Sequence, residues 1–473
     1  DDLFEEALES MALDAPHEAA DLLNRVISGL DDRFRGDVKN IPLDVLVRRF
    51  RSLLYLGRAY SASGREKDAA DCAAQSLELA CGPLESFPDL FVFAGVENAL
   101  LHMAAGRISD AKSLVAQITK TPPGDDPGYC KALSGYGAGR LLIHFKKYDM
   151  ALHALRNGLS SLDNPANREQ AELKANLLIS SSEAHSAMEN HAEAASALDD
   201  AVSMLLDFTT GSTDSVDSIF LLSIARRVSE KLSGSTDSIR RHSLIVIRLA
   251  ELMDTRGYWN HSEHLYREAL DVLSSNSLED PKTCIVCWNG IGKLYSQLKN
   301  YDGARDLFQQ ALSEAERISD TYGTCLSYYN IGLAVSKQGD DERGVELFEE
   351  ALDMINDAPP DQRAQSLQAR IHNQLGFILA KGNRLDRAVE HFKQSVSILR
   401  SYPRDMAQGE AYRMLGDIYS MRRQTEQGER ALRMALEIFE KNRASVDIAG
   451  VYKSIGFYFH NGGNIEKATF FID

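Results

Sequence analysis

The sequence predicts an all-α chain, a solenoid of about eleven stacked helix-turn-helix units. Three observations carry that prediction. Small residues recur at positions 57, 99, 139, 182, 250, 292, 332, 376, 416 and 456, a spacing near 40 with one interval of 68. Proline is scarce, 12 in 473 residues, and nearly all fall in breaks between apolar-periodic segments, from Pro42, Pro83 and Pro88 to Pro360 and Pro403. Proline cannot continue a helix interior, so these positions mark helix boundaries. Finally, no segment shows the period-two alternation of a half-buried strand.

Composition narrows the class further. The 44% apolar and 26% charged fractions are those of a folded chain. Length alone would suggest about three domains, but a repeat array overrides that prior. The net charge of −17 argues against a broad surface for nucleic acid or anionic membrane. No run of roughly 18 apolar residues is present, so no membrane insertion is expected. Six cysteines make no disulfide framework, which fits a reducing cytoplasmic or nuclear setting. The acidic start, Asp1-Asp2-Leu3-Phe4-Glu5-Glu6, lacks a secretory signal and an initiator Met, so a chain trimmed from a longer one is expected.

Taken in order, Leu3–Met11 with Pro16–Leu30 reads as a divergent first helix pair. Leu56-Gly57-Arg58-Ala59-Tyr60 with Ala69 is a clear second. Ala99 with Ala111, Gly139 with Ala151, Ser182 with Ala194 and Ala201, and Ala250 with Tyr266 and Ala269 are degenerate successors. The 68-residue interval holds two Ser/Thr-rich loops, Gly211–Ser215 and Gly234–Ser238, around a helical pattern at Ile219–Val228. It reads as an additional helix or as a hinge open to phosphorylation. The expected division is therefore 1–208, an N-terminal degenerate solenoid; 209–240, an insertion with a helix; and 241–473, a C-terminal solenoid. The last unit, Ile455-Gly456-Phe457 with Ala468, stops inside its second helix and would leave an apolar face for pairing with a second chain.

The clearest unit is Trp288-Asn289-Gly290-Ile291-Gly292-Lys293-Leu294-Tyr295, followed by Ala304, Phe308 and Ala311. A small residue in the first helix lets the second approach closely, and the aromatic fills the space between them. Each pair leaves one apolar face open and is stable only when stacked. This pattern resembles the tetratricopeptide repeat, whose signature W-x2-L-G-x2-Y…A-x3-F-x2-A is met here with one Leu-to-Ile exchange. The resemblance is strong over 282–473 and weaker upstream. It implies a right-handed superhelix whose first helices line a concave groove. Units near 40 residues are similar to those of the kinesin light chain and LGN/Pins arrays, which implies binding of extended peptides.

By that resemblance, inward places of the repeat fall on Asn289, Lys293, Tyr329, Asn330, Lys337, Arg370, Asn373, Phe377, Lys381, Arg413 and Lys453. An amide can donate to and accept from a peptide backbone, while Lys and Arg select carboxylates. Acidic Glu410 and Asp417 occupy two further places, so the groove reads as locally basic in an acidic protein. Upstream, Arg51, Arg58, Tyr136, Arg140, Asn176 and Glu183 take similar places.

Catalytic signatures are mostly absent: there is no P-loop, nucleophile elbow, H-E-x-x-H or dinucleotide-binding glycine pattern. Cys284-Ile285-Val286-Cys287 has no second pair to complete a zinc site and reads as apolar packing. His185, His191, His261 and His264 read as solvated. The expectation is a non-catalytic adaptor without cofactors or a metal, binding an acidic protein or peptide segment in its C-terminal groove. The alternative is a ligand-sensing regulator whose effector domain lies elsewhere.

Overall fold

The computed structural model describes residues 2–33, 41–121, 124–162, 164–211, 215–231, 236–356, 361–402, 405–442 and 445–461. The central residues of the two Ser/Thr-rich loops, 212–214 and 232–235, lie outside them, as does Ala468 with the second helix of the last unit. Among the described residues every regular element is helical. Two compact units form, Asp1–Leu278 and Glu279–Asp473.

In the first unit, α1 (Asp2–Ala12) pairs with α2 (Pro16–Arg33), α3 (Leu43–Ala62) with α4 (Glu66–Cys81), and α5 (Pro88–Ala104) with α6 (Ile108–Ile118). Next, α7 (Pro127–His144) pairs with α8 (Tyr148–Leu159) and α9 (Arg168–Ala187) with α10 (His191–Gly211). The 68-residue interval supplies one helix, α11 (Ser215–Ser229), before the pair α12 (Thr236–Thr255) and α13 (Trp259–Ser275). In the second unit, α14 (Pro281–Gln297) pairs with α15 (Tyr301–Arg317) and α16 (Thr321–Lys337) with α17 (Asp341–Asn356). Then α18 (Gln362–Lys381) pairs with α19 (Leu385–Ile398), α20 (Met406–Met421) with α21 (Thr425–Lys441), and α22 (Ser445–Asn461) follows. The all-α solenoid expected from the sequence is thus present in both units.

One backbone feature locks the repeat frame. Seven residues after each small residue the chain turns through the left-handed region, at Gly64, Gly106, Lys146, Glu189, Gly257, Lys299, Gly339, Asn383 and Arg423, with φ between 57° and 105°. Five of these nine are not glycine, so the geometry is imposed by the stacked helices rather than by residue choice. At α14 the turn closes with Asn300 N–H donating to the Tyr295 carbonyl at 2.8 Å, the six-to-one bond of a Schellman motif. Asn300 then caps α15 through Gly303 N–H. The same offset back from Asp14, with φ 55°, identifies buried Ala7 as the small residue of the first pair.

The small positions do what the pattern implies. A Cβ added at Gly292 would lie 2.5 Å from the Phe308 ring, at Gly332 2.8 Å from Phe348, and at Gly376 2.9 Å from Phe392. At Gly416 it would meet Leu432 at 2.6 Å. Phe308, Phe348 and Phe392 are all buried. Each first helix is therefore pressed against the partner's large side chain at its glycine.

The first unit closes on itself. Helix α11 packs against α10, α12 and α9, and also against α1. Buried Glu9 of α1 sits 2.5 Å from an Arg256 nitrogen after α12, and its other oxygen accepts a hydrogen bond from Tyr258 Oη at 2.6 Å. Phe4 stacks edgewise on Tyr55 of α3, which in turn meets Phe220 of α11. The expected insertion 209–240 thus contributes, in α11, a helix interior to the first unit.

Two predictions follow from the packing. Gly292→Ala gains helix propensity but drives a methyl into Phe308, so a net loss of about 1 kcal/mol is expected in urea unfolding. Adding Phe308→Leu should reduce that penalty; a penalty unchanged in the double variant would contradict the contact. The second concerns His372 and His391, on α18 and α19, whose Nδ1 atoms are 3.0 Å apart. Burial, then the charge of His391, lowers His372 to about 4; burial also lowers His391, against the nearby Glu390 and Glu349. An unfolded histidine protonates near about 6.5, so between those values the unfolded chain holds the extra proton. Stability from this pair is present above that value and is lost as pH falls toward 4. Melting temperature should drop between pH 7 and pH 5, and His372→Gln should flatten the dependence; an equal slope in the variant would count against it.

Candidate functional site

The repeat frame places the sequence-predicted groove residues on the first helices α14, α16, α18, α20 and α22. Their side chains divide into two sets. Asn289 is buried; its amide donates to the Ile285 carbonyl at 2.9 Å, and its oxygen accepts from Asn330 at 2.8 Å, linking α14 to α16. Asn373 is buried and donates to the Ala407 carbonyl at 2.8 Å, linking α18 to α20, while its oxygen has no partner. Tyr329 is buried against Phe348, and the Arg370 guanidinium lies 4.7 Å above its ring. These five residues hold neighbouring first helices together. Burial pushes the Glu410 carboxyl up, and Arg370 and Asn373 pull it part of the way back.

The second set reaches solvent. Lys293, Lys337, Lys381 and Lys453 are exposed. Phe377 and Phe457, each one residue after its repeat's glycine, are both 51% exposed. Lys381 pairs with Asp341 at 2.6 Å and Arg413 with Asp417 at 3.7 Å, on the same face or its rim. The face is therefore less basic than a count of its lysines and arginines suggests.

A second site lies in the first unit. Within it lies a half-open cavity of about 810 Å³, walled by α3, α5, α7, α9 and α11 and bordered by Met11, Asp14 and Pro16. Arg58 of α3 is the central cross-link. Its Nε and one Nη hold both oxygens of Glu97 at 3.3 and 2.7 Å, and the other Nη holds Glu172 Oε1 at 2.7 Å. The guanidinium also lies 5.1 Å from the Tyr55 ring centre. Nearby, Arg168 bonds Asp217 and the Tyr55 hydroxyl, and Arg51 pairs with Glu169. Of the upstream residues noted in the sequence, Arg58, Tyr136 and Asn176 line this cavity, while Arg140 pairs with Glu183. That Glu97, Glu169 and Glu172 join them is not legible from spacing, since Arg58 and Glu172 are 114 positions apart.

Two further clusters gather titratable side chains. Glu230, His242 and Glu268 bring ligand-type atoms within 4.8 Å of one another. Arg226 already supplies a cation there, 2.9 Å from Glu268 and 3.6 Å from Glu230. Burial opposes ionisation of Glu268, yet hydrogen bonds from His242 and Arg226 hold it below its usual value. Among the cysteines, burial pushes up the thiols of Cys284, Cys287 and Cys325, the last to about 11, which suits packing rather than nucleophilic chemistry.

Comparison with known proteins bears on the second unit. Residues 284–357 and 367–441 match the family model described as tetratricopeptide repeat. The response regulator aspartate phosphatase H of Bacillus subtilis (strain 168) is 24% identical over 204 residues, 43% of this chain and 51% of that protein. The match thus spans about half the length of that curated relative. Among solved structures, a Rap protein complexed with competence and sporulation factor is 15% identical, covers 80% of this chain and 95% of its own, and has a TM-score of 0.43. The apo form of the quorum sensor NprR from B. thuringiensis is 13% identical, covers 87% and 99%, and has a TM-score of 0.38. No described helix is long and apolar enough to cross a membrane. The chain carries tetratricopeptide repeats, in the helix pairs from α14 through α21 of its second unit.

Proposed function

We propose that the chain is a non-catalytic interaction scaffold, whose second unit holds an extended or helical segment of a partner protein on its first-helix face. The observation that carries this reading is the pair Phe377 and Phe457. Each stands half-exposed at the same register place, on α18 and α22, flanked by residues that the packing buries. Exposed aromatics at a repeated place are anchors that a partner's apolar side chains would cover. Lys293, Lys337 and Lys453 around them favour an acidic segment, and Lys381 can exchange Asp341 for a carboxylate of the ligand. Asn289, Tyr329, Asn330, Arg370 and Asn373 act beneath them by fixing the spacing of the helices. The non-catalytic part of the reading is supported by the carboxylates, which are engaged in cis: Glu97 and Glu172 by Arg58, Asp341 by Lys381, Asp417 by Arg413.

A second reading, a ligand-sensing regulator, is favoured by the half-open cavity of the first unit. The curated relative's name, a response regulator phosphatase, suits a regulator of this kind, though the match covers half of that protein.

Selection of peptides from an unbiased displayed library tests the scaffold reading. Peptides retained by the full chain should be enriched in Asp and Glu beside Leu or Phe. Phe377→Ala/Phe457→Ala should weaken them at least about tenfold while the fold is retained. Lys337→Glu/Lys453→Glu should weaken them more at low salt than at high salt. Selected peptides without acidic bias, or binding indifferent to the two phenylalanines, would overturn the assignment.

A further inference from the structure

The cavity of the first unit is built as a binding site, and its chemistry differs from that of the second unit's face. Five carboxylates line it against three cations. Arg58 is committed to Glu97 and Glu172 and Arg227 to Asp14, while Glu169 and Glu230 pair with Arg51 and Arg226 outside the lining, so the lining itself carries more carboxylates than cations. Four polar groups of the lining have no hydrogen-bond partner in the chain. Glu172 uses Oε1 for Arg58, and no hydrogen bond reaches its Oε2, although the residue is buried. The Asn176 amide, one turn further along α9, has none either. The Tyr129 and Tyr136 hydroxyls on the facing helix α7 are likewise unbonded. Tyr129, Tyr136 and Asn176 are partly exposed to this half-open cavity and Glu172 is buried beside them, so a ligand that enters it meets all four.

The field at the site has a sign. Burial, with Glu169 and Glu172 next, pushes the Tyr129 hydroxyl well above its usual range. Burial also raises Tyr136 to about 12, with Arg140 opposing and Glu97 adding to it. Both tyrosines therefore stay protonated and serve as donors, acceptors and π faces. The remaining wall is apolar, with Phe93, Leu133, Leu173, Phe220 and Ile224. A volume of about 810 Å³ is that of a small-molecule or side-chain pocket, far larger than a single water requires.

We propose that this cavity binds an amphipathic cation, an ammonium or guanidinium on an apolar body. The charge is held by Glu172 Oε2 and Asn176, and the body lies against Phe93, Leu173 and Phe220. The tyrosine rings add cation–π attraction. Two sources offer this chemistry, a free amine and a basic side chain within a peptide.

Isothermal titration of the full chain with hexylammonium, hexanoate and hexanol separates charge from apolar burial. Acetyl-Leu-Lys-Leu-amide is the peptide-borne arm. Hexylammonium or the peptide should bind, and the tighter of the two identifies the source; hexanoate and hexanol should bind at least about tenfold more weakly. Glu172→Gln keeps an acceptor for Arg58 and should cost about tenfold in affinity for the cation. Ile224→Trp, which fills the cavity from α11, should abolish binding with helicity retained. If Glu172→Gln does not fold, Asn176→Leu gives the same reading with a smaller loss. Equal binding of the three hexyl probes, no binding by either cationic probe, or undiminished binding by the folded variants would overturn the proposal. Because none of these substitutions touches the second unit, their outcome is independent of its peptide binding.

Discussion

The structure depends on one close approach, repeated along the chain: the contact between the small residue of a first helix and a large side chain of its partner, at Gly139, Gly292, Gly332, Gly376 and Gly416. At Gly292 there is no room for even a methyl group beside Phe308. That contact fixes how deeply the two helices interlock. The depth fixes where the chain must reverse, always seven residues later through a left-handed turn, even where Lys, Glu, Asn or Arg must adopt it. With turn and approach set, the residue after each glycine is carried out of the pair, which is why Phe377 and Phe457 reach solvent while Phe392 does not.

The first unit applies the same rule to a different end. Its helix pairs curl until α1 meets α11, and an ion pair and a hydrogen bond at buried Glu9 fasten the closure. Closing a stack leaves space within it, and the space is lined by whatever the first helices present inward. Here that is a guanidinium shared between two carboxylates, ringed by aromatics. Removing Arg58 would leave Glu97 and Glu172 uncompensated, so the residue is at once a structural cross-link and the reason the carboxylates can exist there. One fold thus yields two surfaces of different chemistry: an open face with lysines and aromatics, and a half-open cavity with more carboxylates than cations.

Much of this was legible in the sequence, for reasons particular residues make clear. The small-residue register could be read even where the rest of the signature had decayed, as at Ala99 and Ser182, because the approach tolerates no bulk whatever else drifts. The helix at Ile219–Val228 was visible as a periodic pattern. Its role was not, because packing of α11 against α1 joins segments about two hundred positions apart. The Asn289, Asn330 and Asn373 places were identified correctly as first-helix positions, but residue type cannot tell whether an amide meets a ligand or the neighbouring helix. Here their donors go to Ile285, Asn289 and Ala407. Likewise Arg58, Tyr136 and Asn176 stand out one by one, while the carboxylates that meet Arg58 come from α5 and α9, in other repeats than its own.

The central claim is that binding on the second unit uses the first-helix face set by the repeat frame. Hydrogen–deuterium exchange of the full chain, with and without a saturating acidic peptide, tests it directly. The account predicts added protection in α14, α16, α18, α20 and α22, strongest around Phe377 and Phe457, with α15, α17, α19 and α21 little changed. Protection concentrated in those second helices would contradict it.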